Sequence, residues 1–245
     1  MLAQQTFWED KSLFPLYDEN PTRITPYLTY LIIGANVFVF LHQISLSRQE
    51  LDLFFQTYAV IPQQLTASFQ GEIGRQEIPE WATLFTSQFL HGGWWHLISN
   101  MLFLWVFGNN IEDRMGRIRY IIFYLICGAL AALCQWAINP SSAIPSLGAS
   151  GAISGILGAY VIRFPQAKIM TLAFLGFFVT TLRVPAILLI GIFVVQNVIA
   201  GLVNLQEMAR MSVETGGVAY WAHIGGFVFG LILAPVFGIF RQDDY

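Results

Sequence analysis

The chain has 245 residues, of which 56% are hydrophobic, 15% aromatic and only 11% charged. Soluble domains carry roughly 25% charged residues, so this composition excludes an ordinary water-soluble globule and points to a membrane protein. A net charge of −3 offers no basic surface for nucleic acid, and no nucleic-acid partner is expected.

The opening residues, MLAQQTFWEDKSLFPLYDENPTRITP, are acidic and polar, and lack the basic start and small-residue cleavage site of a secretory signal. Residues 1–26 are therefore expected to form a cytoplasmic segment, with the apolar run 27–46 kept as the first membrane span. Counted against the ~20 residues that cross a bilayer, the runs 94–109, 118–138, 184–203 and 219–239 are further spans. Gly151 to Ile162 is a shorter run, and 167–180 is ambiguous. Charge decides between the topologies. If 151–163 crosses and 167–180 is interfacial or re-entrant, then Lys11, Arg23, Arg114, Arg117, Arg119, Arg163, Lys168, Arg183 and Arg241 share the side of the termini. Only Arg48, Arg75 and Arg210 lie opposite. The positive-inside rule then puts both termini in the cytoplasm. The expected fold is all-α: a polytopic bundle of six transmembrane helices over 27–239, followed by a tail at 240–245. With no signal or transit sequence, the expected location is a bacterial plasma membrane.

Between the first two spans lies an outer loop, about 47–93. It mixes Glu50, Asp52, Glu72, Glu77 and Glu80 with Trp81, Leu84, Phe85 and Phe89, a pattern for folding onto the membrane surface. Cys127 and Cys134 lie two helical turns apart, too far for an intrahelical bridge, and do not report a redox compartment. The stretch 204–218, NLQEMARMSVETGGV, is expected to act as a mobile cover.

In this topology the second, fourth and sixth helices start near the outer face. Trp94 and Trp95 precede His96, and Tyr220 and Trp221 precede His223, so both histidines fall just beneath an aromatic belt. Ser150, within Gly148-Ala149-Ser150-Gly151, opens a helix only ~20 Å long against ~30 Å of hydrocarbon, which sets its start ~10 Å below the outer surface. A serine is a weak nucleophile until a base takes its proton, and His223 is the candidate base. Small residues at Gly151, Gly155 and Gly158 on one helix and Gly225, Gly226 and Gly230 on the other let the two backbones approach. Neither helix carries Asp or Glu, so the pair reads as a dyad without an orienting carboxylate. His96 and Asn100, four residues apart on one helical face, together with the free N–H groups at the start of the Ser150 helix, supply donors for an oxyanion.

Each feature also has a plainer reading. A GxSG run is most often a helix-packing motif, and His223, His96 and Asn100 each serve elsewhere as buried hydrogen-bonding groups. A proton-relay transporter is a further reading, discouraged by the lack of an intramembrane carboxylate. His91 and His96 share no helical face, and no Cys or acid accompanies them, so neither a metal nor any other cofactor is expected. Placement of four such groups at one depth favours hydrolysis.

These residues resemble the rhomboid intramembrane serine proteases, and the resemblance covers most of 27–239. It rests on His96-x3-Asn100, on Gly108-x3-Glu112-x3-Gly116, on Gly148-Ala149-Ser150-Gly151, and on Ala222-His223-x2-Gly226-x3-Gly230. The resemblance implies Ser150 as nucleophile and His223 as general base and acid. It implies His96, Asn100 and the Ser150 backbone N–H as the oxyanion hole, and Glu112 as a brace for the second and third helices and the first loop. His91 matches a family histidine near the water-access route. The chain departs from the family at Trp81-Ala82, where Trp-Arg is common, and at Ser154, where an aromatic ring often stacks on the histidine. The implied activity is endopeptidase cleavage of transmembrane-helix substrates near the outer face, at sequences that unwind easily. Lateral entry is implied between the second and fifth helices, under the 204–218 stretch. The alternative is an inactive rhomboid-like protein that binds membrane clients.

Overall fold

The computed structural model describes residues 13–72, 77–175, 178–211 and 218–241. Its helices are α1 (Tyr27–Ser45), α2 (Arg48–Tyr58), α3 (Pro62–Phe69), α4 (Glu80–Thr86), α5 (Trp94–Phe103), α6 (Asn109–Met115), α7 (Arg117–Ile138), α8 (Ser150–Arg163), α9 (Ala186–Met211) and α10 (Tyr220–Leu233). A π turn, Leu104–Gly108, joins α5 to α6. That path ends at Gly116, whose φ of +75° only glycine adopts freely. By length and composition, Tyr27–Ser45, Arg117–Ile138 and Ala186–Met208 are able to cross a membrane, and Tyr220–Leu233 is a shorter apolar helix.

At the centre, α10 packs against α8, α7 and α9. Glycines allow this. A Cβ built on Gly226 would run into the carbonyl oxygen of Gly151, and one on Gly230 into that of Gly155. On the opposite face of α8, a Cβ on Gly151 would come within 2.7 Å of the Ala131 methyl on α7. The α8–α10 contact is thus backbone on backbone.

The all-α expectation needs correction, because three strands form an antiparallel sheet in the order β1 (Leu13–Asp18), β2 (Lys168–Leu175), β3 (Phe178–Pro185). The 167–180 stretch is largely its hairpin. Alternate β2 residues Ile169, Thr171 and Ala173 are fully buried, a period of two that marks a strand. Between them stand Met170, Leu172 and Phe174, also apolar, so the alternation is invisible to a polar/apolar reading. The charged side chains of the sheet, Asp18, Glu19, Lys168 and Arg183, gather at one end. There Arg183 Nε lies 2.9 Å from Glu19 Oε1.

Two helix ends also differ from expectation. The sixth apolar run stops as a helix at Leu233, because Pro235 has no N–H to donate and disfavours helical backbone at Ala234; tight turns carry the chain to Phe240. In α9 the helix continues through 204–211, the first half of the expected cover, while 212–217 lie outside the described residues. The same holds for 1–12 of the N-terminal segment and for 242–245 of the tail.

The first loop is folded. Ser47 and Glu50 form a capping box that starts α2. Trp136 Nε1 donates to Thr66 Oγ1 at 2.9 Å and Gln88 Nε2 to the Leu125 carbonyl at 3.1 Å, binding α3 and the turn after α4 to α7. These contacts anchor the loop, while Trp81 is 62% exposed. Glu80, 6% exposed, keeps both carboxylate oxygens without a hydrogen-bond partner among the described residues, and burial pushes its carboxyl above the ordinary carboxylate range.

Gly230→Leu is expected to cost about 1–3 kcal/mol, read as a lower midpoint of thermal unfolding in detergent. Gly34→Leu, on a face with nothing within 4 Å, is expected to change it little. Equal effects of the two would refute the packing argument. For Glu80 the folded state holds its proton more tightly than the unfolded chain does. Its contribution to stability is therefore present at low pH and lost as pH rises through the folded value. Glu80→Gln is expected to raise the unfolding midpoint at about pH 8 and leave it nearly unchanged at about pH 4. A gain independent of pH would contradict this.

Candidate active site

Ser150 is set at the tip of α8 by the loop before it. Gly148 has a φ of +124°, a conformation that side chains resist, and its N–H donates to the Ser87 carbonyl at 2.9 Å. Upstream, Ser146 pairs with Val60 in an antiparallel bridge, so the serine loop is stitched to the first loop at two points. His223 lies one turn into α10, 6% exposed. Its Nε2 is 2.7 Å from Ser150 Oγ.

The other ring nitrogen, Nδ1, lies 2.7 Å from Oδ1 of Asn197 on α9. The Asn197 amide Nδ2 donates to the Phe193 carbonyl at 2.9 Å, and the residue is 1% exposed. The Phe193 ring stands 6.0 Å from the imidazole, centroid to centroid, with 35° between their planes. Ser154, where a stacking ring was expected from the resemblance, is fully buried and donates from Oγ to the Ser150 carbonyl at 2.8 Å. Its Cβ lies 3.2 Å from where Gly226 would carry one, so residue 154 faces the bare Gly226 backbone. α9 supplies the ring instead. Sequence reasoning missed Asn197. The available signal was a carboxamide in the apolar run Phe193-Val194-Val195-Gln196-Asn197-Val198-Ile199, a costly residue there unless it has a task.

His96, at the start of α5, approaches the serine from the other side. A Cβ on Gly148 would meet His96 Nε2 at 2.8 Å and Ser150 Oγ at 3.7 Å. The Gly92 N–H donates to His96 Nδ1 at 3.3 Å, which leaves the ring proton on Nε2, facing the serine loop. Asn100, one turn on and 5% exposed, donates through Nδ2 to the His96 carbonyl at 2.7 Å, with a second amide hydrogen remaining. His91 is 1% exposed, with its ring 5.0 Å from that of His96. A pocket lined by Gln135, Asn139, Ser142, Asn204 and Val218 opens at the same end of α7, α9 and α10, with polar groups able to hold water.

Glu112, Gly108 and Gly116 are not part of this assembly. Glu112 is fully buried and accepts from the Leu28 N–H at 3.0 Å, and from the Thr29 N–H and hydroxyl at 2.8 Å each. It therefore caps the start of α1. The expected brace to the first loop gives way to this contact, because the free N–H groups of a helix N-terminus attract an acid, whereas the first loop is itself acidic. Its link to α7 runs through Thr29, whose hydroxyl oxygen also accepts from the Tyr120 Oη–H at 3.1 Å. Gly108 gives that tyrosine space: a Cβ there would meet the Tyr120 hydroxyl at 2.7 Å.

Comparison with known proteins places this geometry in a lineage. The Rhomboid domain family model matches residues 79–240. The chain is 28% identical over 212 residues to Rhomboid-like protein 11, chloroplastic, of Arabidopsis thaliana, covering 81% of this chain and 64% of that protein. It is 31% identical over 211 residues to Rhomboid protein 1, mitochondrial, of Saccharomyces cerevisiae, covering 84% of this chain and 51% of that protein. To the rhomboid protease GluP of Bacillus subtilis it is 32% identical over 161 residues, 65% of this chain and 27% of that protein. The alignments thus span under two thirds of each relative's own length. With more than half its residues matched by the family model, this apolar, mostly helical chain belongs to the rhomboid family of membrane proteins.

Proposed function

We propose that the chain is an intramembrane serine endopeptidase acting through Ser150 and His223. The observation that carries this reading is the 2.7 Å contact between His223 Nε2 and Ser150 Oγ, a nucleophile–base separation held between apolar helices. In the first step the Oγ–H proton passes to His223 Nε2 as Oγ bonds to the substrate carbonyl carbon. The electron pair of the C=O bond moves onto oxygen. That oxyanion is met by His96 Nε2–H, by the remaining amide hydrogen of Asn100 and by the Ser150 N–H at the start of α8. Collapse breaks the C–N bond, and His223 returns its proton to the leaving amine. Water then repeats the sequence on the acyl-serine, deprotonated by the same imidazole. The polar pocket beside the serine loop supports a route for that water.

The substrate is a membrane protein whose helix unwinds near the cut, since helical carbonyls are occupied by intrahelical bonds. Entry runs between α5 and α9, which touch through Phe103 and Phe193, their ring centroids 6.3 Å apart. The bilayer is crossed six times, by α1, the α5–α6 path, α7, α8, α9 and α10. Both termini face the side that holds nine of the twelve Lys and Arg residues. That side is the cytoplasm in a plasma membrane. In an organelle, the setting named for the Arabidopsis and yeast relatives, it is the equivalent internal face.

Reconstituted in liposomes with a labelled single-span substrate, Ser150→Ala and His223→Ala are expected to abolish cleavage. His96→Ala is expected to lower kcat about 100-fold with little change in KM. Cleavage by Ser150→Ala at the wild-type rate would sink the reading. A wild type that binds the substrate without cutting it would favour the inactive client-binding alternative.

A further inference from the structure

We propose that Asn197 is a positioning residue: it fixes the tautomer and orientation of His223, so that the imidazole meets Ser150 as a base. This inference rests on the Ser150–His223 reading above.

The argument starts from what a carboxamide is able to do. Its oxygen only accepts hydrogen bonds and its nitrogen only donates. The Asn197 Nδ2 is committed to the Phe193 carbonyl, four residues earlier on α9, at 2.9 Å. This sets which end of the amide faces α10: Oδ1, 2.7 Å from His223 Nδ1. An acceptor at that distance requires the hydrogen on Nδ1. A neutral imidazole carries one N–H, so Nε2 keeps its lone pair and faces Ser150 Oγ at 2.7 Å as an acceptor. The opposite tautomer would aim an N–H at the serine oxygen and leave Nδ1 and Oδ1, two acceptors, in contact.

Burial makes Asn197 hard to replace. Asn197 is 1% and His223 6% exposed, so bulk water offers Nδ1 no ready substitute acceptor. Neither α8 nor α10 carries an acid, and among the described residues Asn197 Oδ1 is the acceptor recorded at Nδ1. Phe193, one turn before Asn197, flanks the ring at 6.0 Å, so α9 sets both the ring's hydrogen bond and its packing. The amide keeps this polarity without adding a charge among apolar helices.

The test compares wild type, Asn197→Leu and Asn197→Asp in liposomes, with Ser150→Ala as the inactive control. Asn197→Leu is expected to lose about tenfold or more in kcat with KM nearly unchanged, the cost of one misdirected hydrogen bond. Asn197→Asp keeps an acceptor at the same atom and is expected to recover most of that loss. Side-chain 15N spectra of His223 give the readout that a merely structural role would leave unmoved. Wild type and Asn197→Asp are expected to show a protonated Nδ1, and Asn197→Leu a shift of the proton toward Nε2. Wild-type kcat and tautomer in Asn197→Leu, with Ser150→Ala inactive, would overturn the role of Asn197 and leave the dyad standing. Equal loss in Leu and Asp variants, with Nδ1 protonated in both, would also overturn it. Unimpaired cleavage by Ser150→Ala would instead overturn the dyad reading, and this inference with it.

Discussion

The rest of the molecule depends on the backbone contact between α8 and α10. Gly226 lies against the Gly151 carbonyl and Gly230 against that of Gly155, with no side chain between them. Helices normally pack about 8–10 Å apart. A Cβ at Gly226 or Gly230 would collide with the facing carbonyl and push the two helices apart. Here glycines bring the axes close enough for Ser150 Oγ and His223 Nε2 to stand 2.7 Å apart. Position 154 carries a serine whose hydroxyl is bound to the Ser150 carbonyl, so α8 offers the imidazole no ring.

α9 makes up for that lack. Asn197 and Phe193 hold the imidazole from the side that α8 leaves open, and His96 comes to the serine from α5. Four helices converge on one hydroxyl, and each contributes through a different group. A site assembled in this way responds to helix movement. A tilt of α9 away from α10, opening a path between α5 and α9, would draw Asn197 Oδ1 from Nδ1 and slacken the base. On the proposed entry route, substrate admission and base orientation would be joined in one helix.

Much of this is legible in the sequence, for reasons that also explain the exceptions. Ser150, His223, His96 and Asn100 are conspicuous because polar groups are costly in apolar segments, and the division of charge gives a topology in which they are expected at one depth. The length of α8 follows from Arg163, which ends its apolar run. Strand β2 escapes a reading by hydrophobic period because the residues between its buried positions, Met170, Leu172 and Phe174, are apolar too. The end of α10 was written in Pro235, but the continuing apolar run hid it. Glu112 is recognisable as a structural acid, yet its partner, the start of α1, lies 83 and 84 residues away and is fixed only by tertiary packing. Asn197 was overlooked because a single carboxamide in a helix has several uses, and only the facing Nδ1 of His223 selects one.

The proposed chemistry asks for a reactive serine where water is scarce, and the polar groups around it answer one another: Asn197 to His223, His223 to Ser150, His96 toward the serine loop. The most direct test of that claim is the mass of the Ser150 peptide after wild-type and His223→Ala proteins, held in bilayers, are treated with a fluorophosphonate. The account predicts a single phosphonyl adduct on Ser150 in the wild type and its loss in His223→Ala. An adduct formed equally in both, or on another residue in its place, would contradict it.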